Sequence, residues 1–303
     1  MKVFVAGGTG VLGRRVVPAL VSRGHEVTAV VRSAEKAAAV RAAGATPVEV
    51  SLFDPQGLKE AVAGHDAVVN LATSIPPASK STKAAAWEPN HRIRRAGSRN
   101  LVDAALDAGV GRYLQESITF LYADGGDRWL DEQAEVRPTP VTASALDAEA
   151  NAARFGADGG IGIVLRFGGF YAADTAHTID IVKLARRGIA AFPGDAGAYI
   201  ASVHVDDAAA AVVAALEEAP SGTYNAVDDD PVTRGEFAAL LASAVGRRKL
   251  RGMPSLMVRL LGDKLDHVAR SQRVYNQALR TATSWRPTVP SVREGLPAVV
   301  RGG

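Results

Sequence analysis

The chain has no cysteine among its 303 residues. That excludes disulfides, thiolate catalysis and a Cys-ligated metal, and it fits a reducing compartment. No apolar run approaches the roughly 20 residues that a helix needs to cross a bilayer. The opening MKVFVAGG leads directly into a β-rich segment, with no signal-peptide core or cleavage site. A soluble, cytoplasmic chain with no membrane partner is therefore expected. Charge of one sign is also scarce: the net charge is +3, and the arginines are scattered. The one dense cluster, Arg247, Arg248, Lys249 and Arg251, reads as a solvated turn and is too small for a nucleic-acid footprint. There is no Gly-x-Ser-x-Gly elbow, and no pair of histidines stands near an acid at metal-ligand spacing.

What is present is a regular alternation. KVFVA (2–6), EVTAVVR (26–32), TPVEV (46–50), DAVVNLA (66–72) and RYLQES (112–117) are strand-like runs. Between them lie helical patterns at 11–24, 34–43, from Pro55 onward, and in one long stretch from Pro89 to Ala108. Continuous apolar strands separated by helices predict an α/β fold with a doubly wound parallel sheet of Rossmann type. After residue 117 the pattern loosens, with a helix at 142–157, a strand at 162–167, and a helix near 233–245. The expected organisation is a dinucleotide-binding domain over 1–165. A smaller substrate region over 166–303 would be partly interleaved with it, some of its elements returning to the first domain.

The stretch GGTGVLG (7–13) stands between the first strand and the first helix. It fits Gly8-x-Gly10-x-x-Gly13 and also Gly7-x-x-Gly10-x-x-Gly13. Either spacing supplies residues that tolerate positive φ and lets a pyrophosphate approach the backbone. A helix beginning near Val11 would then turn its free N–H groups toward that anion. Gly7, Thr9, Gly10, Val11, Leu12 and Gly13 are thus the candidate cradle. An acid at the end of the second strand would select NAD, and an arginine NADP. Arg32 and Ser33 occupy that place, so NADP(H) is favoured over NAD(H).

These residues resemble the short-chain dehydrogenase/reductase superfamily, in its extended or atypical, epimerase/dehydratase-like branch. The likeness rests on Gly7, Gly10 and Gly13, on DAVVNLAT (66–73), on Asn90 and the GSRNLVDAALDAGV segment after it, on VLRFGGFY (164–171), on VHVDDAAAA (203–211) and on GTYNAV (222–227). It implies that Leu71, Ala72 and Thr73 lie along the cofactor and that Asp206 and Asp207 form a helix N-cap. It also implies a catalytic Tyr-x-x-x-Lys pair with a serine or threonine at the end of strand five. Here the chain departs: Thr142 stands at the tyrosine position and Leu146 at the lysine position. Aligning on Ser117 keeps the hydroxyl, whereas aligning on Tyr122 puts Ile118 there instead.

Ser117, Thr119, Tyr122 and Thr142 are the remaining catalytic candidates, with Tyr122 the nearby phenol. Thr73 and Ser74 would line the loop after strand four, Lys80 and Lys83 read as solvated, and His204 reads as packing behind the cleft. The substrate pocket is expected from 168–202 and 250–285, with Phe167 to Tyr171, Phe192, Tyr199, Met253, Met257 and Trp285 supplying apolar surface. Leu256, Met257, Leu260 and Leu261 fall at helical spacing, as in a packed face or subunit contact. Three functions follow: an NADP(H)-dependent oxidoreductase on a small, partly apolar carbonyl or hydroxyl compound, an isomerase or lyase on the same scaffold, or a non-catalytic NADP-binding sensor. The expected partner is a small-molecule substrate, and the chain a monomer or homodimer.

Overall fold

The computed structural model describes residues 1–190, 192–252 and 265–302. Met253, Leu256, Met257, Leu260 and Leu261 lie outside the described residues.

In chain order the first half alternates β1 (Lys2–Ala6), α1 (Gly13–Ser22), β2 (Glu26–Val31), α2 (Ala34–Ala42), β3 (Thr46–Glu49), α3 (Pro55–Val62) and β4 (Ala67–Asn70). It continues with α4 (Glu88–Arg92), α5 (Ser98–Asp107), β5 (Arg112–Ile118), β6 (Trp129–Leu130), α6 (Ser144–Ala157) and β7 (Ile161–Phe167). Next come β8 (Gly169–Tyr171), α7 (Ala176–Arg186), β9 (Tyr199–Ile200), β10 (Ser202–His204), α8 (Val205–Glu218), β11 (Gly222–Ala226), β12 (Val232–Thr233) and α9 (Arg234–Ala244). Helices Asp266–Ala269, Gln277–Ala282 and Val292–Arg301 follow, with the short strand Arg273–Val274 between the first two.

Seven strands form one parallel sheet in the order β11-β7-β5-β4-β1-β2-β3. Its inner strands are buried on both faces, which is why they read as unbroken apolar runs. One face packs Val5, Val69, Leu114 and Leu165 against Val16 and Leu20 of α1 and Val212 and Leu216 of α8. The other packs Phe4, Val68 and Tyr113 against Leu58 of α3, Leu101 of α5 and Phe155 of α6. Local signals start the helices: Asp54 accepts from the Gly57 N–H with Pro55 in the first turn, and Thr233 and Glu236 form a reciprocal capping box. A third cluster unites Tyr171, Ile181, Phe237, Leu241, Leu296 and Val300 into the smaller lobe. Strand β11, at 222–226, sits at the edge of the main sheet beside β7.

The fold departs from the sequence reading at three points. The helix expected from Pro89 to Ala108 is interrupted by a π turn over Ile93–Gly97, a device that widens the backbone ladder by one residue and recurs at functional sites. Helix α1 begins at Gly13 rather than near Val11, because the Gly10 N–H first closes a turn onto the Gly7 carbonyl at 3.0 Å. The N-cap of α8 is His204, whose ring nitrogen accepts from the Asp206 N–H, and not the Asp206–Asp207 pair. Asp207 instead accepts from the backbone N–H groups of Thr288 and Val289, at 2.8 and 2.9 Å, and pins the C-terminal segment.

Candidate active site

A cleft of about 1460 Å³ follows the C-terminal ends of the parallel strands, the place where open α/β sheets bind ligands. Its first half is built on the Gly7–Gly13 turn. Gly7 has φ of 81°, and a Cβ there would lie 2.5 Å from the Leu71 backbone. A Cβ on Gly13 would meet the Gly7 carbonyl oxygen at 2.2 Å. A Cβ on Gly10 meets only that same oxygen, at 3.3 Å, so the side chain would project into the cleft. The turn therefore uses Gly7-x-x-Gly10-x-x-Gly13 for conformation, for ligand approach and for close turn–helix contact respectively. Gly8 is tight for another reason: its Cβ would press on Ala29 and Val17 in the core.

Thr9, Val11 and Leu12 line the cleft, as do Leu71, Ala72 and Thr73 from the end of β4. The Leu12 cap position has no side-chain hydrogen bond, and the Arg14, Arg15 and Val16 N–H groups are taken by the Gly10 and Leu12 carbonyls, so any anion here would meet the turn ahead of Arg14. Arg32 leaves β2 exposed on the cleft wall, and Lys36 lines it one turn into α2. Ser33 is different: it does not line the cleft, and its Oγ accepts from the Lys36 N–H as the cap of α2. Leu52, Phe53 and Asp54 close this end, with the Arg92 guanidinium 3.9 Å from the Phe53 ring centre. These features fit a dinucleotide: a backbone turn whose open space a side chain would fill, and two cations, Arg32 and Lys36, with no ion pair among the described residues.

The centre of the cleft is unlike its sequence expectation. Ser117 is fully buried and donates to Glu149 Oε1 at 2.5 Å. Glu149 also accepts from Arg166 Nε and Nη2, at 2.8 and 2.7 Å. Arg166 Nη1 donates to the Tyr122 hydroxyl at 3.1 Å, and that hydroxyl donates to Asn225 Oδ1 at 2.8 Å. Ser117, Thr119 and Tyr122 are thus all enclosed behind the wall, off the cleft. Burial pushes the Tyr122 phenol above its usual value, against the opposing pull of Arg166. Thr142 does reach the cleft, but its Oγ1 accepts from the Thr139 N–H at 2.8 Å and serves the turn before α6. Leu146 is half-buried in α6, away from the cleft.

The residues that do face the centre were not singled out in the sequence. Glu116 lies two residues before the end of β5, and both of its oxygens accept from Arg94 Nη2, at 2.9 and 3.2 Å. Arg94 belongs to the π turn, which brings its guanidinium onto the cleft wall. A charged pair in the middle of helical and strand-like patterns was the available signal. Trp285, expected in the pocket, is in the main core and donates to the Asp207 carbonyl. Lys80, Lys83 and His204 lie off the cleft.

The far half is aromatic, with Phe120, Phe167, Phe170, Phe192, Tyr199 and Phe237 on its walls. Polar groups are interspersed: His267 faces Phe120 edge-on at 6.3 Å, and burial lowers its pKa to about 4. Arg234, Arg270 and Gln272 complete this end.

The NAD(P)H-binding family matches residues 7–219. A 3-diazoavenalumate denitrifying reductase of a Streptomyces species is 35% identical over 98% of this chain and 99% of its own length. The chain belongs to the NAD(P)H-binding family. A Stigmatella aurantiaca ketoreductase of a farnesylated dihydroquinoline-1-oxide is 32% identical over 81% of this chain and 74% of its own. The human epimerase family protein SDR39U1, solved with NADPH, superposes with a TM-score of 0.83 at 22% identity over 99% of both chains. As a member of the NAD(P)H-binding family, this chain carries the Gly7–Gly13 turn and has no Tyr-x-x-x-Lys in its sequence.

Proposed function

We propose that the protein is an NADPH-dependent reductase whose substrate accepts hydride without drawing a proton from an enzyme tyrosine. The observation that supports this reading is a Gly7–Gly13 turn open to the cleft beside a cleft centre lined by Thr142, Glu116 and Arg94, with Thr142 and Leu146 at the positions where the resemblance implies a tyrosine and a lysine. Glu116 is spent on Arg94, and Thr142 is spent on its own turn. Bound NADPH supplies the hydride. The protein's residues supply binding, orientation and exclusion of water, which can account for much of a barrier.

The preference for the phosphorylated nucleotide is supported by Arg32 and Lys36, two cations on the ribose end of the cleft that make no ion pair among the described residues. No carboxylate occupies the end of β2.

An electrophile that resolves hydride addition by itself suits such a centre. Ketone reduction leaves an alkoxide that must be protonated. An aryl diazonium instead loses N₂ with the C–N electron pair, and the hydride becomes the new ring C–H, with no proton required. The similarity to a denitrifying reductase that acts on a diazo compound supports this substrate class. The test is a single turnover of 4-deuterated NADPH with benzenediazonium, beside an enzyme-free control. Deuterobenzene, N₂ and NADP⁺ in equal amounts are expected. NADPH binding without turnover on diazonium and carbonyl panels would favour the sensor reading, and turnover of ketones alone would overturn the diazonium class.

A further inference from the structure

Arg234 opens α9 at the aromatic end of the cleft, about 6% exposed. Its Nη2 donates to the carbonyls of Val268 and Arg270, at 2.6 and 2.8 Å, which locks the guanidinium plane. Nε and Nη1 are buried without any acceptor among the described residues, although the residue lines the cleft. Arg270 beside it is already paired with Asp266. The carboxylates of Asp124 and Asp195 exert only a distant attraction on Arg234, and neither forms an ion pair with it.

A buried guanidinium with free donors is costly unless something completes it, since desolvation is not repaid by a partner. The neighbouring His267 Nδ1 is also buried without a partner among the described residues, and His267 lines the same cleft. Around them stand Tyr199, Phe192 and Phe237, the last two rings edge-to-face at 4.9 Å. An anion and a flat apolar body are therefore wanted at the same place.

We propose that Arg234 is the anchor for the carboxylate of an aromatic acid substrate, whose ring lies among Phe192, Tyr199 and Phe237. This assignment rests on the reductase reading for the statement that the bound acid is the substrate. The binding site itself depends only on the residues above. The acid's oxygen accepts from Nη1, while the fixed Nη2 bonds hold the fork. The aromatic wall supplies contact area, and the anchor sets which end of the molecule points toward the cradle.

The test is calorimetric, on the protein with and without saturating NADPH. Benzoate, cinnamate and 2-naphthoate are each compared with the corresponding amide. At least one acid should bind at least tenfold more tightly than its amide, and Arg234→Gln should abolish that preference while NADPH affinity stays unchanged. Arg234→Lys, which keeps the charge, should retain part of it. Because the acid–amide comparison uses the unaltered protein, it holds even if a variant misfolds. Acids that bind no better than amides, or Arg234→Gln that keeps the preference, overturn the anchor. Acid binding that persists while NADPH fails to bind would overturn the reductase reading and leave the anchor standing.

Discussion

Arg94 and Glu116 meet in the wall of the cleft through a single guanidinium nitrogen that donates to both carboxylate oxygens, and both side chains are almost wholly buried. Neither charge can be removed alone without stranding the other. Glu116→Ala should destabilise the fold by about 3–5 kcal/mol, the usual cost of breaking a buried pair from one side. Glu116→Gln keeps an acceptor and should cost less. Urea unfolding of the two variants checks the order; equal losses would show that the pair contributes through packing alone.

Arg32 lines the cleft, exposed and in no ion pair among the described residues, and the proposed role for it is to bind the 2′-phosphate. Arg32→Ala should weaken NADPH roughly ten- to a hundredfold, the range for one charge-assisted contact. It should leave NADH affinity almost unchanged. A parallel loss for both nucleotides, measured by titration, would remove Arg32 from the phosphate site.

Gly10 and Gly13 should separate binding from folding. A side chain at Gly10 enters the open cleft, so Gly10→Val should lose the nucleotide and retain its thermal midpoint. A Cβ at Gly13 collides with the backbone of the turn, so Gly13→Ala should lose both. Retained NADPH affinity in Gly10→Val would contradict the cradle.

Tyr122 holds Asn225 and Arg166 together behind the cleft. Tyr122→Phe should therefore cost about 1–3 kcal/mol of stability through buried groups left unpaired. The hydride-transfer rate per folded molecule should not change. A large fall in that rate with stability intact would restore Tyr122 as a proton donor.

Asp228 is buried with neither carboxylate oxygen hydrogen-bonded by a side chain among the described residues, and burial together with Asp207 pushes its pKa well above the ordinary value. The folded protein thus holds it protonated while the unfolded chain ionises near 4. Its contribution to stability is full below that unfolded value and is lost as pH rises toward the folded one. Asp228→Asn should then raise the thermal midpoint at pH 8 more than at pH 5. A pH-independent effect would mean that the carboxyl is not neutral in the fold.

The alternating strands, the Gly7–Gly13 turn and the cation after β2 were readable from the chain alone. Each depends on residues close in sequence: a two- or 3.6-residue period, a positive φ, a side chain at the end of a strand. The catalytic centre was not readable in that way. Tyr122 looked available by position, yet Arg166 and Asn225, distant in sequence, enclose it. Glu116 and Arg94 became a cleft pair because a π turn displaced one of them. Arg234 kept two nitrogens without an acceptor among the described residues because the carbonyls of 268 and 270 fold over only one of its three. Local conformation follows from neighbouring residues, but burial and partnership of a side chain are set by whichever distant segments pack against it, and those determine what the site can bind.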